Sequence, residues 1–333
     1  DYDFSQLPDN KEDALKMQSP MSTTEETIKG MRRANKCIEC GFCERNCLTC
    51  GLTLSSRTRI ATQSEISYLK NSGKAGDQER ARRLEQLYRY YGEQTCAADG
   101  LCATSCPMHI NTADLTHLLR QISSNQSKIK YPVGKAGAKH MPECETAVKG
   151  LLTAANLAHT VIGTKAMSAI CETAHKAGLP LWTPAMPKPN HIDKKRLAGR
   201  NTAVDAARKG DDVDLKVVYF PSCLNQTMGL SKDAPVKETV SQEICKVLNR
   251  AGYEVIFPDK MNHLCCGQIW ESKGMMDIAD RKTAELEEAL WKASEEGRYP
   301  VICDQSPCLH RMRKLITRMK LYEPVEFIIK YVQ

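Results

Sequence analysis

Between residues 37 and 47 the sequence reads CIECGFCERNC, four cysteines separated by two, two and three residues. Residues 37–50 offer few apolar side chains to bury, so something other than a hydrophobic core must organise them. Disulfides do not answer that need. Sixteen cysteines among 333 residues amount to about 5%, below the 8–10% of a short disulfide scaffold, and the chain is several times longer than such scaffolds. Thiolates spaced this closely bind metal, and Gly41 lets the backbone turn tightly enough for three of them to converge. A zinc site can use a Cys-x2-Cys pair, but four cysteines so close together, echoed by a second set, favour iron-sulfur ligation.

The x2, x2, x3 spacing is that of bacterial ferredoxin loops, in which the fourth cysteine ligates the other of two clusters. The second set lies in TCAADGLCATSCP, with Cys96, Cys102 and Cys106 at x5 and x3 spacing and Pro107 behind them. The crossover rule assigns Cys37, Cys40, Cys43 and Cys106 to one [4Fe-4S] cluster, and Cys47, Cys96 and Cys102 to a second. A complete repeat has cysteine at 99, where this chain has Asp99. Three readings stay open: the second site stops at [3Fe-4S], Asp99 gives a carboxylate oxygen to a fourth iron, or Asp99 only caps the turn with Gly100. The Cys-x5-Cys-x3-Cys-Pro spacing resembles the three-iron loop of succinate dehydrogenase and fumarate reductase iron-sulfur subunits. Leu48 stands where proline usually follows the first loop, which leaves the ligands intact. Cys50 is a spare ligand or a free thiol. His109, His263 and His310 adjoin cysteines, where they either tune a cluster by hydrogen bonding or serve as capping or surface residues.

Further along, the hydrophobic period changes. Residues 216–221, 254–257 and 299–303 read as strands and 240–251 and 282–294 as helices, an alternation that implies a parallel sheet with helices packed on it. Cys223 follows the first strand, Cys265 and Cys266 precede Gly267 beyond the second, and Cys303 and Cys308 close the third. Ligands in open α/β sheets gather beyond the carboxyl ends of strands, so these five thiols are expected to meet in one crevice. HLCCG and CDQSPC resemble the cysteine-rich CCG domain of heterodisulfide reductases and of glycolate oxidase iron-sulfur subunits. The last pair is spaced x4 rather than x2, and one such motif is present rather than two. The resemblance implies a non-cubane [4Fe-4S] cluster, with zinc or an ordinary cubane as alternatives. Cys144, Cys171 and Cys245 stand alone in helical context and read as small buried apolar residues.

The chain therefore reads as an α+β multidomain protein. A polar lead-in covers 1–35, with a helix at 23–34. A helical two-cluster domain of the alpha-helical ferredoxin kind covers 36–130, a helical connection and linker 131–212, and an α/β CCG domain with a small parallel sheet 213–333. Helices are expected over 58–91, broken near 71–73, over 114–122 and over 140–185, followed by an exposed excursion over 186–212 rich in Pro, Gly and charge. Residues 150–164 lack a full charge, but Asn156 and His159 interrupt them and spanning takes about 18–20 apolar residues. They are expected to form a buried helix, with a membrane-facing surface over 150–172 as the alternative. The start carries no apolar segment of the signal-peptide kind, and a first residue Asp1 suggests processing or a longer polypeptide. The expected location is cytoplasmic, with peripheral attachment to the inner face of the membrane as a variant.

The formal charge of +7 raises the question of nucleic acid. Aromatic residues make up 6% and no stretch interleaves them with basic ones, so no nucleic-acid partner is expected. That count treats every cysteine as neutral. With each ferredoxin-type cluster and its thiolates at about −2, the balance falls to roughly +3, and to about 0 or +1 with the CCG site included.

Taken in order, KCIECGFCE, GLTLSSRTRI, QTCAADGLCATSCPMHINTADL, VVYFPSC, HLCCG, SKG, CDQSPC and LYEPVEFI resemble the C-terminal iron-sulfur region of bacterial FAD-linked D-2-hydroxyacid dehydrogenases, the D-lactate or D-2-hydroxyglutarate type. The resemblance runs from about residue 36 to the end. In that family a flavin domain precedes this region. The resemblance thus implies an electron-transfer module that takes electrons from FAD on a flavoprotein domain or subunit and passes them to an acceptor such as a quinone or another membrane-associated group. Two rival readings are a heterodisulfide-reductase-like subunit whose CCG cluster cleaves a disulfide, and a succinate dehydrogenase or fumarate reductase type of subunit. Nothing resembles a nucleophile elbow, a phosphate-binding loop or a metalloprotease motif, so no catalytic residue is assigned.

Overall fold

The structure, a computed structural model, describes residues 34–176, 182–198 and 215–332. The lead-in, and with it all but the end of the helix expected at 23–34, lies outside the described residues, as do 177–181 and the 199–214 part of the excursion. Two compact units make up the chain, Asp1–Tyr131 with Glu271–Met275 and Pro132–Trp270 with Met276–Gln333.

The first unit is helical. Helix α1, Ser56–Asn71, starts where the Ser55 side chain accepts from Thr58 N, an N-cap that satisfies one of the free amides of the first turn. It packs on α2, Asp77–Tyr88, and buries Ile60, Ile66 and Leu69 while α2 buries Ala81 and Tyr88. The chain leaves α2 as a π-helical turn, Arg89–Gln94, in which Gly92 lies against the Tyr88 ring; a Cβ there would fall 2.6 Å from a ring carbon. Helix α3, Thr112–Gln126, begins at Asn111, whose side chain accepts from Ala113 N. A small core of Ala34, Ile60, Ile110 and Leu115 has Cys37 and Cys106 packed at its edge. Apolar burial therefore stops where the thiols begin.

The second unit is built on a parallel sheet. Strands β2 (Lys216–Phe220), β4 (Glu254–Ile256), β5 (Val301–Cys303) and β6 (Leu321–Tyr322) lie in the order β4-β2-β5-β6. Val218 pairs with Ile256 on one side and Val301 on the other, and Phe220 pairs with Cys303. Val217, Val218, Tyr219 and Phe220 are fully buried, as a central parallel strand covered on both faces must be. Each large apolar side chain so buried contributes roughly 1.5–3 kcal/mol. Helices α5 (Val240–Arg250), α6 (Met276–Ala293), α7 (Ser306–Leu315) and α8 (Pro324–Tyr331) follow the strands, and α4 (Met141–Lys176) precedes them. The buried Ile278, Ala279, Leu286 and Leu290 of α6 and Leu309 and Met312 of α7 form apolar faces at helical spacing.

Three expectations are corrected here. The described part of the 186–212 excursion is ordered: β1, Pro187–Pro189, pairs antiparallel with β3, Met228–Ser231. The buried Asn190 donates from its N–H to Thr227 O at 2.9 Å and from Nδ2 to Asn225 O at 2.5 Å. Second, 150–164 is not a buried helix. Leu152, His159 and Met167 are the buried positions of α4, whereas Leu151, Leu157 and Val161 are 71%, 65% and 75% exposed. The helix packs against β1 and the turn Met261–His263 along one face, and Gly163, at φ 77°, interrupts its regular winding. Third, Cys144 is exposed and Cys171 half-buried; of the three solitary cysteines, Cys245 is the one in the core. Among the described residues no helix is long and apolar enough to cross a membrane.

Candidate metal centres

In the first unit two loops face each other. The first curls through Glu39 at φ 56° and Gly41 at φ 79°, and Glu44 N and Cys47 N donate to Gly41 O and Glu44 O. Asn46 fixes the loop to its counterpart, its Nδ2 donating to Ser105 Oγ at 2.6 Å and Thr104 Oγ1 at 3.0 Å. The second loop runs from Cys96 through Ala98 and Gly100, both in left-handed backbone, into the one-turn helix Leu101–Thr104.

Cys37 is within electrostatic reach of Cys40, Cys43 and Cys106, and Cys43 of Cys106 as well. Burial, together with the neighbouring Cys102, Cys37 and Cys106, pushes the Cys43 thiol up to about 11. Burial likewise raises Cys37, and the Glu39 carboxylate adds to it. Thiols crowded in this way share a positive partner more readily than they ionise alone.

A separate small cavity, of about 20 Å³, is lined by Cys47, Cys96, Asp99 and Cys102 together with Ser56 and Arg59. Burial raises Cys47, but hydrogen bonds from the Thr49 hydroxyl and amide, Ser56 and Arg59 outweigh it and bring the thiol down to about 7. Asp99 Oδ1 accepts from Leu101 N at 3.0 Å, so this carboxylate does cap the turn while also bordering the cavity. Nearby, the Tyr88 hydroxyl is buried without a hydrogen-bond partner, within electrostatic reach of Arg59 and Cys96. Three thiols around an open space, one already ionisable near neutrality, fit an iron-sulfur cluster. Cys102 is in electrostatic reach of Cys43 as well, so it borders both loops' thiols.

In the second unit the strand ends supply the thiols. Cys223 opens the one-turn helix Cys223–Thr227 after β2, Cys303 ends β5 and Cys308 lies in the first turn of α7. Asp304 ties the β2 and β5 ends together, accepting from Ser222 N at 2.8 Å and Tyr219 Oη at 2.6 Å. Cys265 and Cys266 come from the loop before Gly267. That glycine has φ 87°, and a Cβ would lie 2.3 Å from Ala279 O, so only glycine lets the loop lie against α6. Beneath it, Thr283 and the buried Arg311 donate to Cys266 O at 2.7 and 3.0 Å.

The five thiols are neighbours of one another, Cys223 beside Cys265, Cys265 beside Cys266, Cys266 beside Cys308 and Cys308 beside both Cys303 and Cys223. The bond from Cys223 lowers Cys265, but its own donation to Cys266 and burial leave it at about 12. Donation to Cys265, then burial, raises Cys223 further. Among the described residues no three His, Cys, Asp or Glu side chains converge as a single-ion site. A group of five neighbouring thiols fits a polynuclear cluster, whose assembly would release their protons.

Several residues at these sites carry no sequence signal of their own. Arg59 and Thr49 look like ordinary polar positions until helix packing turns them toward Cys47, and Asp304 and Arg311 act through loops distant in sequence. The signal that comes nearest is the stretch GLTLSSRTRI, which contains Arg59.

Comparison with curated proteins and with solved structures gives no match. Residues 33–110 match the family model of the 4Fe-4S dicluster domain, and residues 217–313 that of the Cysteine-rich domain. Thiols gathered by both loops of the first unit and by the strand ends of the second, together with these two matches, make the chain an iron-sulfur module with a role in electron transfer.

Proposed function

We propose that the chain is the electron-transfer part of a flavin-dependent D-2-hydroxyacid dehydrogenase. The observation that carries this reading is the joint presence of two thiol-lined loops in one unit and a group of five neighbouring thiols in the other, in the order found in that family. Cys37, Cys40, Cys43 and Cys106 would hold a [4Fe-4S] cluster, and Cys47, Cys96 and Cys102 a [3Fe-4S] cluster, since Asp99 is engaged as a turn cap. Cys223, Cys265, Cys266, Cys303 and Cys308 would hold the third, non-cubane group. Such clusters supply one-electron redox steps.

FAD on a partner domain or subunit would supply oxidation of the hydroxyacid to the 2-oxoacid by hydride transfer, and the two electrons so gained would pass one at a time through the centres held by these cysteines to an acceptor, for which a membrane quinone is the proposed class. Ile38, Phe42, Leu48 and Leu52 on the first loop are 62%, 61%, 67% and 79% exposed, a surface suited to a docking flavoprotein.

Iron and acid-labile sulfide analysis tests the centres. About 11–12 irons per chain are expected, whereas about 7–8 with one zinc would remove the third cluster. Anaerobic addition of D-lactate or D-2-hydroxyglutarate is expected to bleach the visible absorption only when the flavoprotein is present. Bleaching reversed by a disulfide alone, with no flavoprotein in the cuvette, would instead favour the disulfide-cleaving reading.

A further inference from the structure

Three cations are buried among the described residues: Arg59, Lys282 and Arg311. Two of them have carboxylate partners. Arg311 meets Asp280 at 2.6 Å and Lys282 meets Glu285 at 2.5 Å. Arg59, only 1% exposed, has no such partner among the described residues. Its Nε donates to Gly92 O at 2.7 Å, its Nη2 to Thr49 Oγ1 at 2.8 Å and Thr95 Oγ1 at 3.2 Å, and its Nη1 to Cys47 Sγ at 3.5 Å. The carbonyl and hydroxyls are neutral. A second cation stands nearby: Arg120 donates to Glu93 O at 2.6 Å and to Cys96 O at 2.8 Å. A buried guanidinium held by neutral oxygens beside another guanidinium is costly unless an anion completes the site. Glu93 acts on Arg120 and Asp99 lines the same cavity as Arg59, but the hydrogen bond from Arg59 that does not go to a neutral oxygen goes to the Cys47 sulfur.

We propose that Arg59 is the counter-charge and sulfur hydrogen-bond donor of the second centre, and that it makes this centre the higher in potential of the two in the first unit. This rests on the reading of Cys47, Cys96 and Cys102 as cluster ligands. Reduction of a cluster adds one electron and no proton, so the reduced state carries one more negative charge. A fixed positive charge and an N–H···S bond favour that state. The Thr49 hydroxyl lies 3.4 Å from Cys47 Sγ, takes a hydrogen bond from the same guanidinium and donates to Leu54 O at 3.2 Å, so it holds the guanidinium beside the sulfur. Around the first set the charge that acts on Cys37 is the Glu39 carboxylate, which stands 3.9 Å from Arg57, and among the described residues no arginine donates to Cys37, Cys40, Cys43 or Cys106. Electrons entering the first unit would settle at the centre beside Arg59.

Potentiometric titration of the full chain with its clusters in place, reduced with dithionite and followed by low-temperature magnetic resonance, tests this. In the wild type the second centre is expected to be reduced first. Arg59→Gln is expected to make it at least tenfold harder to reduce, about 59 mV for one electron, with the first centre unmoved, while Arg59→Lys retains most of the potential. Loss of iron from the second centre alone in Arg59→Gln, restored in Arg59→Lys, also supports a counter-charge. The proposal is overturned if Arg59→Gln keeps its iron and its potentials, or if Gln and Lys variants alike lose iron from both centres and melt early, as expected of a merely structural arginine. Wild-type chain without iron at the second site would sink the ligand reading itself, whereas bound iron with an unmoved potential sinks only the role of Arg59.

Discussion

At Asp99 a carboxylate stands where a repeated ferredoxin loop needs a thiolate, and its Oδ1 accepts from Leu101 N at 3.0 Å. A carboxylate engaged in capping a one-turn helix satisfies a backbone donor and is a harder ligand for iron than sulfur is. On the proposed three-iron reading, Asp99→Cys is expected to raise the iron content by one per chain and to abolish an oxidised three-iron signal near g of about 2.01. An unchanged iron count, with a four-iron signal altered in Asp99→Ala, would mean that Asp99 already holds a fourth iron. Gly267 is a residue of the opposite kind, where what matters is the missing side chain. With Ala279 O 2.3 Å from where a Cβ would sit, the glycine of the Cys-Cys-Gly motif is explained by backbone packing rather than by ligation.

Among the elements, α4 departs most from its sequence pattern. Its uncharged stretch reads as something to bury, yet its exposed positions include Leu151, Leu157 and Val161, and only a stripe through Leu152, His159 and Met167 is covered. Val161→Gln is expected to change stability by no more than about 0.5 kcal/mol, and Leu152→Ala to cost about 2 kcal/mol or more. Urea unfolding midpoints measure both; a Val161→Gln loss as large as that of Leu152→Ala would contradict the one-sided packing. The strands, by contrast, were legible. Lys216–Phe220 and Glu254–Ile256 fall within a residue or two of the expected ranges, because a fully buried parallel strand requires a continuous apolar run. The two-residue β6 and the three-residue β1 were not legible, since neither is long enough to show a period.

Taken whole, the two units are held by different forces. The second has a buried sheet with helices packed on it, whereas in the first a small apolar core gives way to cysteine loops. Removing iron with a chelator is therefore expected to lower the unfolding temperature of the first unit by roughly 10 °C, equivalent to about 2 kcal/mol for a domain of its size. The sheet unit's transition should move less. Calorimetry showing both transitions falling equally would refute that division. The cysteine spacing alone determined the chemistry and the order of the two domains, because ligand gaps of two and three residues are a local property of the chain. Only the tertiary structure decided which charges and donors meet the sulfurs. Arg59 reaches Cys47, Asn46 joins the two loops and Asp304 joins two strand ends through folding that brings distant residues within hydrogen-bond distance, and no spacing rule encodes contacts of that range.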